Sequence, residues 1–335
     1  MAQTKTSRNQ CIDLFRFVCS IMVVAIHTQP LSELGDTAVF LTTQVIPRIA
    51  VPYFFAASGY FYTKKLQTSA PILPYLCKLL LTYTIWSVPY YTVAFLKWGY
   101  KAPLSFVIDC AISFFIYGSS YHFWFFPALF FSITLTTILW KCSRQKLLIA
   151  LSLAAYALGC LGCSYQNLSI HIPILQNLYL SDHFTLIRRV VLMGFPFFVS
   201  GYLVQIVSDR MSRSDRHISI TKGLMFFFSL WILEIYIVTS ANLADNIVIT
   251  PMLYPLVITT LMYLLQNPFP ISHNTGYRCR SSANFMYYAH PLFIMALNPF
   301  QMSETTLFVI TVALTACIGN ILSTKKGRLI PYLIG

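Results

Sequence analysis

Long apolar runs separated by short polar loops are the main pattern along this chain of 335 residues. A membrane-spanning helix needs about 20 consecutive, mostly apolar residues. About ten runs fit that requirement: residues 12–30, 39–62, 74–96, 121–140, 147–164, 184–207, 218–239, 247–265, 283–300 and 306–323. The pattern therefore predicts an all-α, polytopic membrane helix bundle of about ten transmembrane helices, with a single integral membrane domain over residues 1–335.

Composition supports this class of protein. Hydrophobic residues make up 57% of the chain and charged residues only 10%, whereas soluble domains carry about 25% charged residues. One further stretch, 103–117, is apolar but too short to span, and we expect it to lie in the membrane interface or to re-enter. The longest polar loops, 165–183, 208–217 and 266–282, leave no room for a second soluble domain.

The basic residues that give the net charge of +13 are distributed unequally between the two sides of the membrane. If the N-terminus is cytoplasmic, only Lys97 and Lys101 fall outside, whereas fifteen basic residues fall inside: Lys5, Arg8, Lys64, Lys65, Lys141, Arg144, Lys146, Arg210, Arg213, Arg216, Arg278, Arg280, Lys325, Lys326 and Arg328. Such an excess obeys the positive-inside rule. It predicts two cytoplasmic termini and contact with anionic lipid, and it argues against a nucleic-acid partner.

Three polar side chains share the first predicted helix: Asp13, Arg16 and His27. Arg16 and His27 are separated by about three turns, so they face the same way, roughly 16 Å apart along the axis. Charged groups are costly in lipid, so this face should line a protein interior or a water-filled cavity. A structural ion pair between Asp13 and Arg16 at the cytoplasmic interface is the alternative for those two residues.

Further polar residues lie inside or at the edge of spans, mainly toward the outer half: Arg48, His122, Arg188, Arg189, Glu234 and His290. Two basic regions result, one at the inner mouth and a larger one deeper toward the outside, as expected for a site that both faces can reach. Snorkelling to the headgroups is the alternative for Arg48 and Arg188. We expect Glu234 to be a partner for one of the arginines.

The histidines also have structural alternatives. His122 stands beside Trp124, so an aromatic belt at the membrane interface explains it equally well. His290 precedes Pro291, which is typical of a kinked helix with a satisfied core histidine. Cys160 and Cys163 form a C-x-x-C pair, but no second pair or histidine cluster accompanies it. We therefore predict no metal site.

Two aromatic stretches share one pattern. "VPYFFAASGYFY" (51–62) and "GFPFFVSGYL" (194–203) each contain a proline, an aromatic pair, Ser-Gly and a tyrosine. Ser-Gly allows two helices to approach closely, so we predict helix packing at both. Each stretch follows an arginine, Arg48 or Arg188, at a short distance.

Four motifs resemble those of the acyltransferase-3 family of membrane acyltransferases. Arg16 and His27, separated by ten residues, resemble its first-helix signature. "PRIAVPYFFAASGYF" (47–61), "YHFWFFPAL" (121–129) and "YYAHPLF" (287–293) resemble three later blocks in the same order. The chain also resembles the membrane portion of the serine racemases of vancomycin resistance. Since the sequence ends soon after "STKKGRLIPYLIG", we expect no racemase activity.

The resemblance implies an O-acyltransferase of the bacterial plasma membrane. Such enzymes transfer an acyl group, commonly acetyl, from cytoplasmic acyl-CoA to a hydroxyl of an extracytoplasmic cell-envelope sugar or similar acceptor. The partners implied are therefore the bilayer, acyl-CoA and that acceptor, with no permanently bound cofactor; an oligomer is compatible with the sequence. Asp13 and Arg16 would bind the donor, whose phosphates need cations.

The same resemblance suggests roles in the chemistry. His27 would act as general base on the acceptor hydroxyl, and Arg48 or Arg188 would stabilise the developing oxyanion. Tyr287 or His290 would shape the acyl pocket. The further site candidates are His122, Trp124, Arg189 and Glu234.

Two other classes of function fit the same residues. A transporter or binding unit for a serine-like amino acid would use Arg48 and Arg188 to hold a carboxylate. A non-catalytic scaffold in an envelope assembly would tolerate His27→Ala. Consumption of acyl-CoA that depends on His27 distinguishes the acyltransferase from both.

Overall fold

The computed structural model describes residues 9–68, 71–210, 216–244, 247–266 and 270–335. Eleven helical segments, which we number in chain order, organise this part of the chain: α1 (Gln10–Thr28), α2 (Asp36–Gln67), α3 (Leu73–Lys97), α4 (Pro103–Tyr117), α5 (Phe125–Lys141), α6 (Gln145–Leu161), α7 (Phe184–Ser208), α8 (Arg216–Ser240), α9 (Leu253–Gln266), α10 (His273–Leu297) and α11 (Glu304–Thr324). No strand occurs in these ranges. Lys5, Arg8, Arg213 and parts of the loops 208–217 and 266–282 lie outside them.

Six of the described helices are long and apolar enough to cross a membrane: α1, α2, α3, α7, α8 from Ser219, and α11. Four others, α4, α5, α6 and α9, are apolar but shorter. The prediction of an all-α, multi-pass membrane protein is thereby confirmed. The count of ten spans and the two cytoplasmic termini stay predictions.

Several helices begin where a side chain satisfies a backbone N–H that the helix leaves unpaired. Asn9 accepts from the Cys11 amide at the start of α1. Ser272 accepts from Thr275 before α10, and Ser303 accepts from Thr306 before α11. Helix α1 ends at Gln29, which takes the left-handed conformation with φ of 51°. These ends fix how far along the chain each polar face extends.

Contacts divide the chain into two compact units, and the single domain over residues 1–335 stays a prediction. Unit 1 comprises Met1–Val51, Ser212–Gly223 and Thr259–Gly335, and unit 2 comprises Pro52–Met211 and Leu224–Ile258. Each unit is assembled from segments far apart in sequence. Its folding therefore depends on long-range packing rather than on one continuous stretch.

In unit 1, α1 and α10 run parallel. Gly276 packs against Gln10, and the Ser20 hydroxyl donates to the Ala283 carbonyl at 3.0 Å. From the first contact to the second, the residue numbers increase in both helices, so the two helices point the same way. Helix α11 runs antiparallel to α10, with the Ser282 hydroxyl donating to Ala316 at 3.1 Å.

In unit 2, the two Ser-Gly motifs form one crossing between α2 and α7. A Cβ added to Gly59 would overlap the Phe198 carbonyl, and one added to Gly201 would overlap the Ala56 carbonyl. The predicted close packing of these stretches is thereby confirmed. Further along, the Gln205 amide donates to Gln67 at 3.0 Å, so α2 and α7 run parallel.

Candidate functional site

The main feature of unit 1 is a stacked pair of histidines. The rings of His27 and His290 have centroids 5.3 Å apart and planes inclined by 23°. His290 is fully buried and His27 is half-buried. Since α1 and α10 run parallel, residues from the last turn of α1 and the C-terminal half of α10 meet at the same level.

His290 is oriented by the backbone of its own helix. Its Nδ1 lies 3.0 Å from the carbonyl oxygens of both Met286 and Tyr287. Carbonyls only accept, so Nδ1 carries the hydrogen. Pro291 has no N–H to donate to the Tyr287 carbonyl four residues earlier, and His290 serves that carbonyl instead. The His-Pro sequence thus has a structural role, as the kink interpretation proposed.

The other candidates of unit 1 lie on α1 and on the start of α2. Asp13 is only 2% exposed, so it is packed in protein rather than placed in lipid, and Arg16 is half-buried. The Thr42 hydroxyl donates to the Pro30 carbonyl at 3.1 Å, so α2 returns antiparallel along α1. Counting residues along α2 from the contact between Thr42 and Pro30 places Arg48 at about the level of the turn of α1 that precedes His27.

Arg48 follows an unusual stretch of helix. Residues Leu41–Val45 form a π-helical turn, and Ile46–Ile49 form a 3₁₀ turn. Such turns alter the direction in which the following side chains point, and π-bulges are frequent at functional sites. The hydrophobic pattern does not predict these turns, because neither turn changes the spacing of apolar residues enough to be recognised.

The main feature of unit 2 is a helix interrupted by a break. Helix α4 runs antiparallel to α3, since Tyr91 donates to the Cys110 carbonyl at 2.9 Å and Tyr83 donates to the Phe114 carbonyl at 2.8 Å. Helix α4 ends at Gly118, whose φ is +92°. There the Ser119 amide donates to the Tyr83 hydroxyl at 2.9 Å, so Tyr83 holds both sides of the break.

Helix α5 continues in the direction of α4. Phe126 stacks on Tyr83 at 4.6 Å, and Tyr90 lies 5.1 Å from Phe123, so α5 is also antiparallel to α3. Helices α4 and α5 therefore run the same way beside the same stretch of α3, and residues 118–124 form the break between them. Between the parallel helices α2 and α7 the chain then makes three passes: α3, α4 with α5, and α6.

The break also positions His122. Its ring lies 5.2 Å from that of Tyr90, level with Tyr83–Tyr90 and thus about 10–21 Å from the C-terminal end of α3. That His122 begins the fourth span at the outer face stays a prediction. His122 is only 4% exposed. That burial argues against a place in an interfacial aromatic belt.

The two adjacent arginines of α7 point to different places. They begin a π-helical stretch, Arg188–Gly194. The Arg188 guanidinium carbon lies 6.0 Å from the ring of Phe184, one turn back toward the start of α7. The Arg189 guanidinium carbon lies 5.5 Å from the ring of Trp124, at the break. Among the described residues, no acidic side chain pairs with either arginine.

Glu234 has other partners than those we expected. Its carboxylate accepts from the Tyr165 hydroxyl at 2.8 Å and from the Met252 amide at 2.9 Å. Within the described ranges it contacts no arginine, so the expected pairing was wrong. Nearby, Tyr156 donates to the Thr250 carbonyl at 2.6 Å. Side chains thus satisfy the backbone before α9, which explains why the predicted span 247–265 becomes helical only at Leu253.

The predicted site residues therefore fall into two sets. Unit 1 contains Asp13, Arg16, His27, Arg48, Tyr287 and His290, whereas unit 2 contains His122, Trp124, Arg188, Arg189 and Glu234. Sequence reasoning missed Tyr83 and Gly118. The turn signal "GSS" at 118–120 could have located the break. No group of three potential metal ligands occurs in the described part of the chain, where Cys160 and Cys163 are buried free thiols.

Comparison with known proteins places this arrangement in context. A family model described as "Acyltransferase domain" matches residues 9–324. Two proteins of Enterococcus faecalis named "Amino-acid racemase" are 30% and 27% identical over 50% and 63% of this chain. A "Serine/alanine racemase" of Enterococcus gallinarum is 32% identical over 50% of it. The matches span 25–30% of the length of these relatives. No solved structure matches the chain.

Proposed function

We propose a function from one premise: the chain belongs to the acyltransferase-3 family, whose domain model covers residues 9–324. The protein is a multi-pass membrane acyltransferase. It takes an acyl group, commonly acetyl, from cytoplasmic acyl-CoA and transfers it to a hydroxyl of a cell-envelope sugar or similar acceptor outside. Its place is the bacterial plasma membrane.

The stacked histidines carry this proposal. His27 removes the proton of the acceptor hydroxyl as the oxygen attacks the thioester carbonyl. The C–O bond forms, the C–S bond breaks, and the CoA thiolate leaves and takes up that proton. His290 donates its Nδ1 hydrogen to Met286 and Tyr287, so it is a fixed neutral neighbour that holds the His27 ring in place.

Two arginines of the same unit complete the scheme. Arg48 supplies positive charge for the oxyanion that develops on the thioester oxygen. Arg16, roughly 16 Å from His27 along α1, binds the donor phosphates. Asp13, buried three residues before Arg16, positions that arginine. Arg188 has a different role, because its guanidinium lies over Phe184.

A second candidate function follows from the names of the relatives. Because they are called amino-acid and serine/alanine racemases, the matched membrane region is also compatible with binding or transport of an amino acid. In that case the arginines would hold its carboxylate.

Reconstituted vesicles separate the two functions. Wild-type protein and His27→Ala receive labelled acetyl-CoA in one assay and labelled serine in another. We expect thioester consumption by the wild type and loss of it in His27→Ala, with no serine uptake. Serine uptake by both proteins without thioester consumption would establish the transporter instead.

A further inference from the structure

The guanidinium of Arg189 reaches away from the end of its helix. Gly194, five residues further along α7, packs against Phe55 and Ala128, and Trp124 lies 5.9 Å from the same Phe55. The contact between Arg189 and Trp124 therefore directs the charge toward the level of Phe55. An arginine that snorkels would extend the opposite way, toward the start of α7.

Among the described residues, no acidic side chain balances the charge at this position. Within the described ranges, the recorded neighbours of the two guanidinium groups are aromatic rings, and the two positive charges are adjacent. A charged side chain in apolar surroundings is normally paired or faces a water-filled cavity. Both arginines are half-buried, so a small group can reach them.

The aromatic side of the site is fixed in place. The break carrying Trp124 is held by Tyr83 through the Phe114 carbonyl and the Ser119 amide. A planar guanidinium stacked on a ring keeps its N–H groups free to form two parallel hydrogen bonds in the plane. Carboxylates and phosphates accept such paired bonds.

We propose that Arg189 and Trp124 form a binding site for an oxyanion, a carboxylate or a phosphate, carried by the acceptor. This assignment rests on the proposed acyl transfer, which already gives the donor phosphates to Arg16. The acceptor is then an acidic molecule, such as a uronic acid or a sugar phosphate, and Arg189 binds its anionic group. Arg188, facing Phe184, does not share this role.

Tryptophan fluorescence of the purified protein in detergent measures this binding without any acyl transfer. Trp124 is one of five tryptophans, so Trp124→Phe identifies its share of the signal. The probes are glucuronate, glucose as its neutral analogue, inorganic phosphate and CoA. The variants are Arg189→Gln, Arg189→Lys and, as the matched control, Arg188→Gln.

We expect glucuronate and phosphate to cause a saturable change in tryptophan fluorescence of the wild type. Glucose should cause no change, and Trp124→Phe should not respond to any of the probes. Arg189→Gln should weaken the apparent affinity roughly 10- to 100-fold, Arg189→Lys less, and Arg188→Gln little. Equal affinity in wild type and Arg189→Gln overturns the site, and a response to CoA alone overturns its assignment to the acceptor. Anion binding in a protein without thioester consumption would refute the acyl transfer but not the site.

Discussion

The two units handle buried polarity differently. In unit 1, His290 serves two carbonyls of its own helix and stacks on His27. In unit 2, two arginines lie over aromatic rings without a described acidic partner. The first arrangement holds two stacked rings in position, whereas the second leaves two positive charges beside aromatic rings.

Packing differs between the units as well. Helices of unit 1 are tied by side chains that hydrogen-bond to carbonyls, as Ser20 and Ser282 do. The central crossing of unit 2 depends instead on the absence of side chains at Gly59 and Gly201. Small changes should therefore affect chemistry most in unit 1 and helix packing most in unit 2.

The largest expected effect separates the histidines of the two units. His27→Ala should lower acyl transfer by roughly 10²–10⁴-fold, the usual contribution of a general base, while leaving CoA binding largely intact. His122→Ala is the matched control in unit 2 and should cost less. Both are measured as product formation and CoA affinity in the same detergent. Near-normal turnover in His27→Ala with none in His122→Ala would show that the base belongs to unit 2.

The glycine crossing is the next test. In Gly201→Ala or Gly59→Ala the new Cβ overlaps a carbonyl of the facing helix, so α2 and α7 are forced apart. Each substitution should lower the free energy of unfolding by roughly 1–3 kcal/mol or more. Gly223→Ala in unit 1 is the control, since its Cβ would lie 3.8 Å from Thr259. In a helix that change should be neutral or stabilising by roughly 0.5–1 kcal/mol. Similar unfolding midpoints for all three variants would contradict this account of the crossing.

His290 offers a smaller effect within unit 1. His290→Leu leaves the Tyr287 carbonyl without this donor and should cost about 1–3 kcal/mol. His290→Asn retains a side-chain N–H and should recover part of that loss. Thermal unfolding in detergent measures both. If asparagine recovers nothing while leucine is fully tolerated, the Nδ1 hydrogen bonds do not stabilise the helix.

The smallest effect concerns the loop that follows α1. Thr305 donates to Glu33 at 2.7 Å, and this hydrogen bond lowers the pKa of the exposed Glu33 carboxyl. The resulting stabilisation is present above the unfolded pKa, about 4.3, and is lost as pH falls through the lower folded value. Glu33→Gln should therefore reduce slightly the difference in melting temperature between about pH 7 and pH 3.5.

Glu304 provides the control for that measurement. It begins α11 beside Thr305, and its carboxylate accepts no hydrogen bond in the described part of the chain. In Glu304→Gln, the contribution of the Glu33 loop to the pH dependence of the melting temperature should remain. If Glu33→Gln and Glu304→Gln change the pH dependence equally, the Thr305 hydrogen bond is not its source.

The sequence alone determined the class of the fold and much of the candidate site. Apolar runs of helical length predicted the helices, because a lipid environment requires them to be long and continuous. The Ser-Gly motifs predicted close packing, since small residues leave room for a neighbouring backbone. The spacing of Arg16 and His27 predicted one polar face, because the helical period is local.

Only the tertiary structure decided which polar residues meet. Stacking of His27 on His290 depends on the parallel packing of helices from opposite ends of the chain, which no local pattern encodes. The directions of Arg188 and Arg189 depend on a π-helical stretch and on the position of Trp124. The break that buries His122 depends on one hydroxyl, that of Tyr83, bonding to both of its sides. Long-range contacts, rather than periodicity, select these partners.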